Sequence, residues 1–228
     1  MLRAGWRAIK VIPPAHPERP ATLALVVDRD APGPDLMQRA LDACHARGIP
    51  AAISQALRPA DYAPFTSAGG TLMQELHLLS LHQPQHPTRR SGRVDIRRHR
   101  PNAPIAAVDY RAFGGFWHFD TVAINDALTA TATSRLRSVL VDNVPVGYIV
   151  VGYNGSRGFV QRLAIDPDHE GRGYGGALLR DGLAWLHRRG ATTIAINTQT
   201  DNTRARALYE RHGFILQPER LGVIGFRL

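Results

Sequence analysis

The 228-residue chain contains one cysteine, Cys44, and one lysine, Lys10. A lone thiol excludes an internal disulfide and matches the usage of a reducing compartment such as the cytoplasm. The shortage of lysine excludes a Walker-type phosphate loop, whose glycine-rich turn needs a Lys beside its Ser or Thr. Long apolar runs are missing too. Stretches such as residues 144–151 fall far short of a membrane-spanning helix. Residues 1–12 carry basic side chains without an apolar segment or a small-residue cleavage site, so no secretory signal is expected. Acidic residues are few: 19 Asp and Glu face 28 Lys and Arg, a formal net charge of +9. No continuous basic block is interleaved with aromatics, which argues against a nucleic-acid partner.

What is present is ordinary for a globular chain: 44% hydrophobic and 21% charged residues. The arginine excess has two open readings. It attracts an acidic partner, such as nucleic acid, anionic lipid or the phosphates of a nucleotide, or it reflects a high-GC genome that replaces Lys with Arg. Residues 83–104, rich in His, Pro and Arg, read as a linker between an N-terminal unit (1–90) and a second unit (91–228). In the first unit, strands are expected at 23–27, 51–56 and 72–81, the last with a tail that also fits a helix. A helix is expected at 35–47, stopped by Gly48. In the second, helices are expected at 105–113, 120–130, 177–189 and 203–211. Strands are expected at 94–100, 136–142, 144–153, 159–165, 193–198, 214–217 and 223–227, with Asp142-Asn143 as a hairpin turn. The order of helix, Ala-Arg-Gly stop, strand and helix over 36–69 echoes 179–213, placing Phe65 opposite Tyr209 and Gly69 opposite Gly213. The first copy has Asp30-Ala31-Pro32-Gly33-Pro34 where the second has glycines, and proline supplies no N–H for a phosphate.

The glycine-rich turn is the most informative stretch. Glycines at 171, 173, 175 and 176, between a strand and a helix, allow a tight turn with bare N–H groups. The positive end of the helix dipole adds to them. Together with Asn202-x-x-Ala205-x-x-Leu208-Tyr209-x-x-x-Gly213-Phe214, this turn makes residues 94–228 resemble the GNAT superfamily of acyl-CoA-dependent N-acetyltransferases. The resemblance implies an α/β (α+β) fold: a mixed, mostly antiparallel twisted sheet flanked by helices, with a smaller N-terminal α/β unit. It implies acetyl-CoA as co-substrate, no metal, and a primary amine as acceptor, on a protein or a small molecule. The rival reading is a catalytically silent acyl-CoA-binding or interaction module. A cytoplasmic monomer or homodimer is expected. The N-terminal unit resembles a degenerate half-copy in tandem GNAT proteins such as mycothiol synthase.

The resemblance also implies roles. Main-chain amides near Leu163 and Ile165 hold the pantetheine arm and polarise the thioester carbonyl. The amides of Arg172, Gly173, Tyr174, Gly175 and Gly176 take the pyrophosphate. Tyr209 is the general acid for the leaving thiolate, or a core aromatic. Asn202 hydrogen-bonds the pantetheine, caps the helix, or does both. Arg206 and Arg211 meet nucleotide phosphates or are solvated. Asp109, His118 and Asp120 lie where the acceptor binds, as structural groups or as a base; water-mediated deprotonation is the alternative. Glu170 replaces the usual Gln or Arg at the start of the turn. Asn197 stands where ribosomal-protein acetyltransferases of the superfamily carry a Glu. His82 and His86 have metal-ligand spacing, but Pro84 lies between them and no third ligand is evident.

Overall fold

The computed structural model of the chain describes residues 2–4, 7–12, 21–26, 34–84, 94–114 and 117–228. Residues 27–33 and 85–93, with Asp30 to Gly33 of the proline-rich turn, His86 and the middle of the expected linker, lie outside them. Two compact units emerge: residues 1–78, 197–203 and 217–228 form one, and residues 79–196 and 204–216 the other.

In the first unit a hairpin of β1 (Leu2–Ala4) and β2 (Arg7–Ile12) leads into β3 (Ala21–Val26), antiparallel to β2. Helix α1 (Pro34–His45) crosses to β4 (Ala51–Ser54), which runs parallel to β3. A short helix α2 (Ala63–Thr66) precedes β5 (Thr71–His82). The core gathers Leu36, Met37, Ala40 and Cys44 of α1 with Leu23, Ala52 and Phe65.

The second unit opens with β6 (Asp95–Arg98), then α3 (Ala103–Phe113) and α4 (Thr121–Thr129). Strands β7 (Thr133–Val141), β8 (Val144–Asn154) and β9 (Arg157–Ile165) follow as an antiparallel meander, with β6 antiparallel to β7. Asp142 and Asn143 have φ of 49° and 64°, the two left-handed residues that a tight hairpin turn needs. Helix α5 (Tyr174–Arg188) returns the chain to β10 (Thr193–Gln199), parallel to β9. Helix α6 (Thr203–Glu210) and β11 (Ile215–Arg227) complete the chain; from Gln217 onward β11 belongs to the first unit, where it pairs antiparallel with β4. Strand alternation divides the second unit's core. Ile149 and Val151 meet Leu178, Leu179 and Leu183 of α5, while Tyr148 and Val150 meet Ile105, Val108 and Ile124 of α3 and α4. Among the described residues no helix is long and apolar enough to cross a membrane.

Residues 72–81 are strand throughout, the first of the two readings left open for their tail. The strands expected at 214–217 and 223–227 are one strand that runs through Pro218, because proline removes a donor yet tolerates extended backbone. The N-terminal hairpin was not foreseen. The internal echo, by contrast, extends to hydrogen bonds. Gly69 and Gly213 both have φ of 86°. Gly70 N–H donates to Phe65 C=O at 3.0 Å, as Phe214 N–H does to Tyr209 C=O at 3.2 Å. Ile49 N–H donates to Cys44 C=O and Ala191 N–H to Leu186 C=O in the same way, after Gly48 and Gly190 at φ 65° and 82°.

Candidate active site

Strand β9 ends at Ile165, and a 3-10 turn over Pro167–His169 leads into the glycine loop. Gly171 and Gly173 have φ of 73° and 80°, backbone that a Cβ would strain. The first bond of α5 runs from Ala177 N–H to Gly173 C=O at 3.0 Å. The amides of Tyr174, Gly175 and Gly176 are thus the helix's first-turn donors, and Gly171, Arg172 and Gly173 present an exposed approach to them. Helix α6 lies close against this turn: a Cβ on Gly175 would meet Leu208 at 3.4 Å. Arg180 and His212 flank Gly176, where a Cβ would lie 3.3 and 3.5 Å from them. His212 Nδ1–H donates to Leu208 C=O at 2.8 Å, fixing its ring. Neither Arg180 nor His212 was foreseen.

The loop is braced. Arg111 at the end of α3 holds Asp166 at 2.9 Å and Asp168 at 2.5 Å. Desolvation raises the Asp166 pKa, but the Asp168 N–H and the Arg111 guanidinium outweigh it and hold the carboxyl below its ordinary range. Glu170 is ion-paired with Arg204 of α6, so its charge does not face the loop unopposed. The Arg172 guanidinium folds back on Asp168 C=O at 3.2 Å.

Beside the loop, β9 and β10 pair only from Arg157↔Thr193 to Phe159↔Ala195, although β9 continues to Ile165. The strands part there, and Leu163 and Ile165, both half-buried, lie on the stretch of β9 beyond the last pair. Register on the other side shifts between Val150 and Val151 of β8, so a bulge marks the same stretch.

Tyr209, in the last turn of α6, is 5% exposed and packs 6.0 Å from Phe214, ring to ring. Burial pushes its phenol well above the ordinary value, and the Arg162 charge pulls the other way. Asn202, half-buried, stands immediately before α6, with its N–H on Gln199 C=O at 3.1 Å. Asn197 is exposed on β10. Arg206 pairs with Glu210 at 2.8 Å, and Arg211 is exposed. His82 shares the Ser80 hydroxyl at 3.1 Å; His86 is outside the described residues.

The three acceptor-side candidates are tied into structure. Asp120 caps α4, accepting from Ala123 N–H at 2.8 Å. His118 packs edge-on against Tyr110. Asp109, fully buried, takes both arms of Arg162 at 2.8 Å, the Tyr148 hydroxyl at 2.6 Å and the Phe119 N–H. Arg162 also donates to Trp117 C=O at 2.7 Å and lies between the rings of Phe113 and Phe119, 3.5 and 3.9 Å from their centres. The sequence signal for this cluster was an arginine in the interior of strand β9, between Gln161 and Leu163.

Burial, with the Asp109 charge behind it and Arg162 against, also pushes the Tyr148 phenol far up. Both Tyr148 and Tyr209 therefore keep their protons in the folded chain where unfolded tyrosine, with a pKa of about 10, releases them. Their contribution is complete below pH ~10 and is lost above it, by about 1.4 kcal/mol per pH unit for each phenol. Urea midpoints measured from pH 8 to 11 will hold level and then fall above pH ~10, less steeply in Tyr209→Phe. A profile unchanged by that substitution would contradict the assignment.

Comparison with known proteins adds the following. Residues 103–214 match the model of the Acetyltransferase (GNAT) family. Mycothiol acetyltransferases of Geodermatophilus obscurus and Clavibacter sepedonicus are 49% and 40% identical over 57 and 68 residues. Those segments are 25% and 30% of this chain. The match spans only 18% and 22% of the length of those relatives. Among solved structures, a tandem GNAT protein from the clavulanic acid biosynthesis pathway has a TM-score of 0.66 at 14% identity, covering 99% of this chain and 81% of that one. A GCN5-related N-acetyltransferase from Sphaerobacter thermophilus gives 0.62 at 15% identity, covering 97% and 76%. These likenesses show the fold: a mixed, mostly antiparallel sheet flanked by helices.

Proposed function

The chain belongs, through residues 103–214, to the GNAT family of acetyltransferases, and from that premise we propose that it moves an acetyl group from acetyl-CoA to a primary amine by direct attack on the thioester. One observation carries the reading: a run of donor amides at 171–176, at the head of α5, beside the stretch of β9 that has parted from β10. Phosphate oxygens are the natural acceptors for first-turn amides with the dipole behind them. Arg172, Gly173, Tyr174, Gly175 and Gly176 would hold the pyrophosphate, with Arg180 adding charge. Main-chain groups at Leu163 and Ile165 would hold the pantetheine arm and the carbonyl, and Asn202 would add a polar contact. Tyr209, protonated at all physiological pH, would donate its proton to the departing sulfur. The acceptor's own proton goes to water, since Asp109, His118 and Asp120 already serve the fold.

The first unit reads as a degenerate GNAT-like half. Its β3-α1-β4-α2 order, parallel pair and helix-ending glycines repeat β9-α5-β10-α6. A cytoplasmic setting, as monomer or homodimer, fits the lone buried thiol of Cys44 and the proposed use of acetyl-CoA.

The test is acetyl-CoA with a panel of protein N-termini, lysine peptides and small amines, following free thiol. Amine-dependent thiol release is expected. Thermal stabilisation by CoA without turnover on any amine would make the chain a binding module instead, and no stabilisation would remove both readings.

A further inference from the structure

The glycine loop is anchored from outside itself. Downstream its end is fixed by α5, whose first bond runs from Ala177 N–H to Gly173 C=O. Upstream it depends on the 3-10 turn Pro167–His169, which passes directly into Glu170 and Gly171. Asp166 shapes that turn: its C=O accepts His169 N–H at 2.9 Å, and its carboxylate accepts Asp168 N–H at 3.0 Å. The same carboxylate takes both Nε and Nη2 of Arg111, at 2.9 and 3.0 Å, and Nη2 also reaches Asp168 at 2.5 Å. One guanidinium thus ties both carboxylates of the turn to the end of α3.

Helix α3 therefore grips this stretch of chain at two points. Asp109 holds Arg162 just before Leu163, and Arg111 holds Asp166 just after Ile165. Between them lies part of β9 beyond its last pair with β10, Phe159↔Ala195. The inner grip is buried and serves the fold. The outer one is open to solvent, with Arg111 48% and Asp168 75% exposed, and ion pairs so exposed add little to stability. Their effect falls on where the loop stands, because they converge on the turn that leads into the left-handed glycines Gly171 and Gly173. Glycine gives a loop the most conformational freedom to lose when a ligand orders it. A brace in place before binding removes part of that ordering cost.

We propose that Arg111 is a positioning residue for the glycine loop: by tying Asp166 and Asp168 to the end of α3, it holds the amides of residues 171–176 in the arrangement that receives the diphosphate. This rests on the acetyl-CoA reading of the loop and adds to it a residue that needs no contact with the cofactor and acts only through the turn. Lysine at this position keeps the charge but cannot take the two oxygens of Asp166 side by side. The planar fork, more than the charge, is what sets the turn.

The experiment compares the wild type with Arg111→Gln, Arg111→Lys and, as a control, Arg97→Gln, which breaks a similarly open pair with Asp95. In CoA-free protein, backbone relaxation NMR is expected to give order parameters near ~0.85 for residues 169–173 in the wild type and the control. In Arg111→Gln they fall toward ~0.6, while those of α5 stay unchanged. Calorimetric titration with CoA is expected to show affinity weaker by roughly tenfold in Arg111→Gln, by less in Arg111→Lys, and unchanged in the control. In turnover the loss appears in KM for acetyl-CoA, with kcat within about threefold of wild type. Equal CoA affinity in wild type and Arg111→Gln, or unaltered order parameters, would overturn this proposal alone. So would loosening that spreads through α5 with a large fall in Tm, because Arg111 would then be a support of the fold. A wild type that binds no CoA would overturn both the proposal and the reading beneath it.

Discussion

Asp109→Ala will lower the stability of the second unit by about 3–5 kcal/mol, the usual cost of removing one member of a buried ion pair. For a chain of this size that is a fall in Tm on the order of 10 °C. The substitution strands four donors at once: both arms of Arg162, the Tyr148 hydroxyl and the Phe119 N–H. Arg162 is only 12% exposed in its side chain and Asp109 is fully buried, so solvent cannot replace what is lost. The pair joins α3, the segment around Trp117 and Phe119, β8 and β9, and its loss loosens the strand on which Leu163 and Ile165 lie. Replacing both members, as in Asp109→Leu with Arg162→Met, will recover much of the loss, because neither charge is then left buried alone. Scanning calorimetry of the three proteins decides the matter. A shift of 2 °C or less in Asp109→Ala would show that the cluster is not the bolt its geometry suggests.

The second large effect is on chemistry. Under the proposed reaction, Tyr209→Phe will lower kcat by about 10²–10⁴-fold, the range for loss of a positioned general acid. CoA affinity will stay within threefold. Burial keeps the phenol protonated at the pH of the reaction, so a proton is in place when the thiolate departs, and the same burial makes it a weaker acid than an ordinary tyrosine. Its removal deletes one oxygen from a helix otherwise held by packing against Phe214 and the core around it, so the fold is expected to survive. Thiol release under saturating acetyl-CoA and amine separates the outcomes. A kcat within threefold of wild type would return Tyr209 to the role of a core aromatic and leave the donor to be water.

Where local chemistry decided conformation, the chain could be read directly. Gly171 and Gly173 occupy left-handed backbone, Asp142-Asn143 close a tight hairpin, and Gly48, Gly190 and Gly213 end helices; each is a demand made within a few residues. The parting of β9 from β10 and the Arg162 cluster were not legible in the same way. Asp109 and Arg162 are 53 residues apart and Asp109 and Tyr148 are 39, so only the fold brings them together. The sequence showed Glu170 in place of the usual Gln or Arg, and its neutralisation by Arg204, 34 residues away, depends equally on tertiary structure. Pro218 marked a break in local pattern, yet one missing donor does not end a strand of 13 residues.

The central claim is that main-chain N–H groups between Gly171 and Gly176 grip the diphosphate of acetyl-CoA. Backbone amide NMR during titration with CoA, and separately with pantetheine, addresses it at those atoms. We expect large downfield shifts and slowed exchange at these amides with CoA, and none of comparable size with pantetheine, which lacks the diphosphate. Saturation by CoA that leaves these resonances in place, with shifts clustered elsewhere on the chain, would contradict the account.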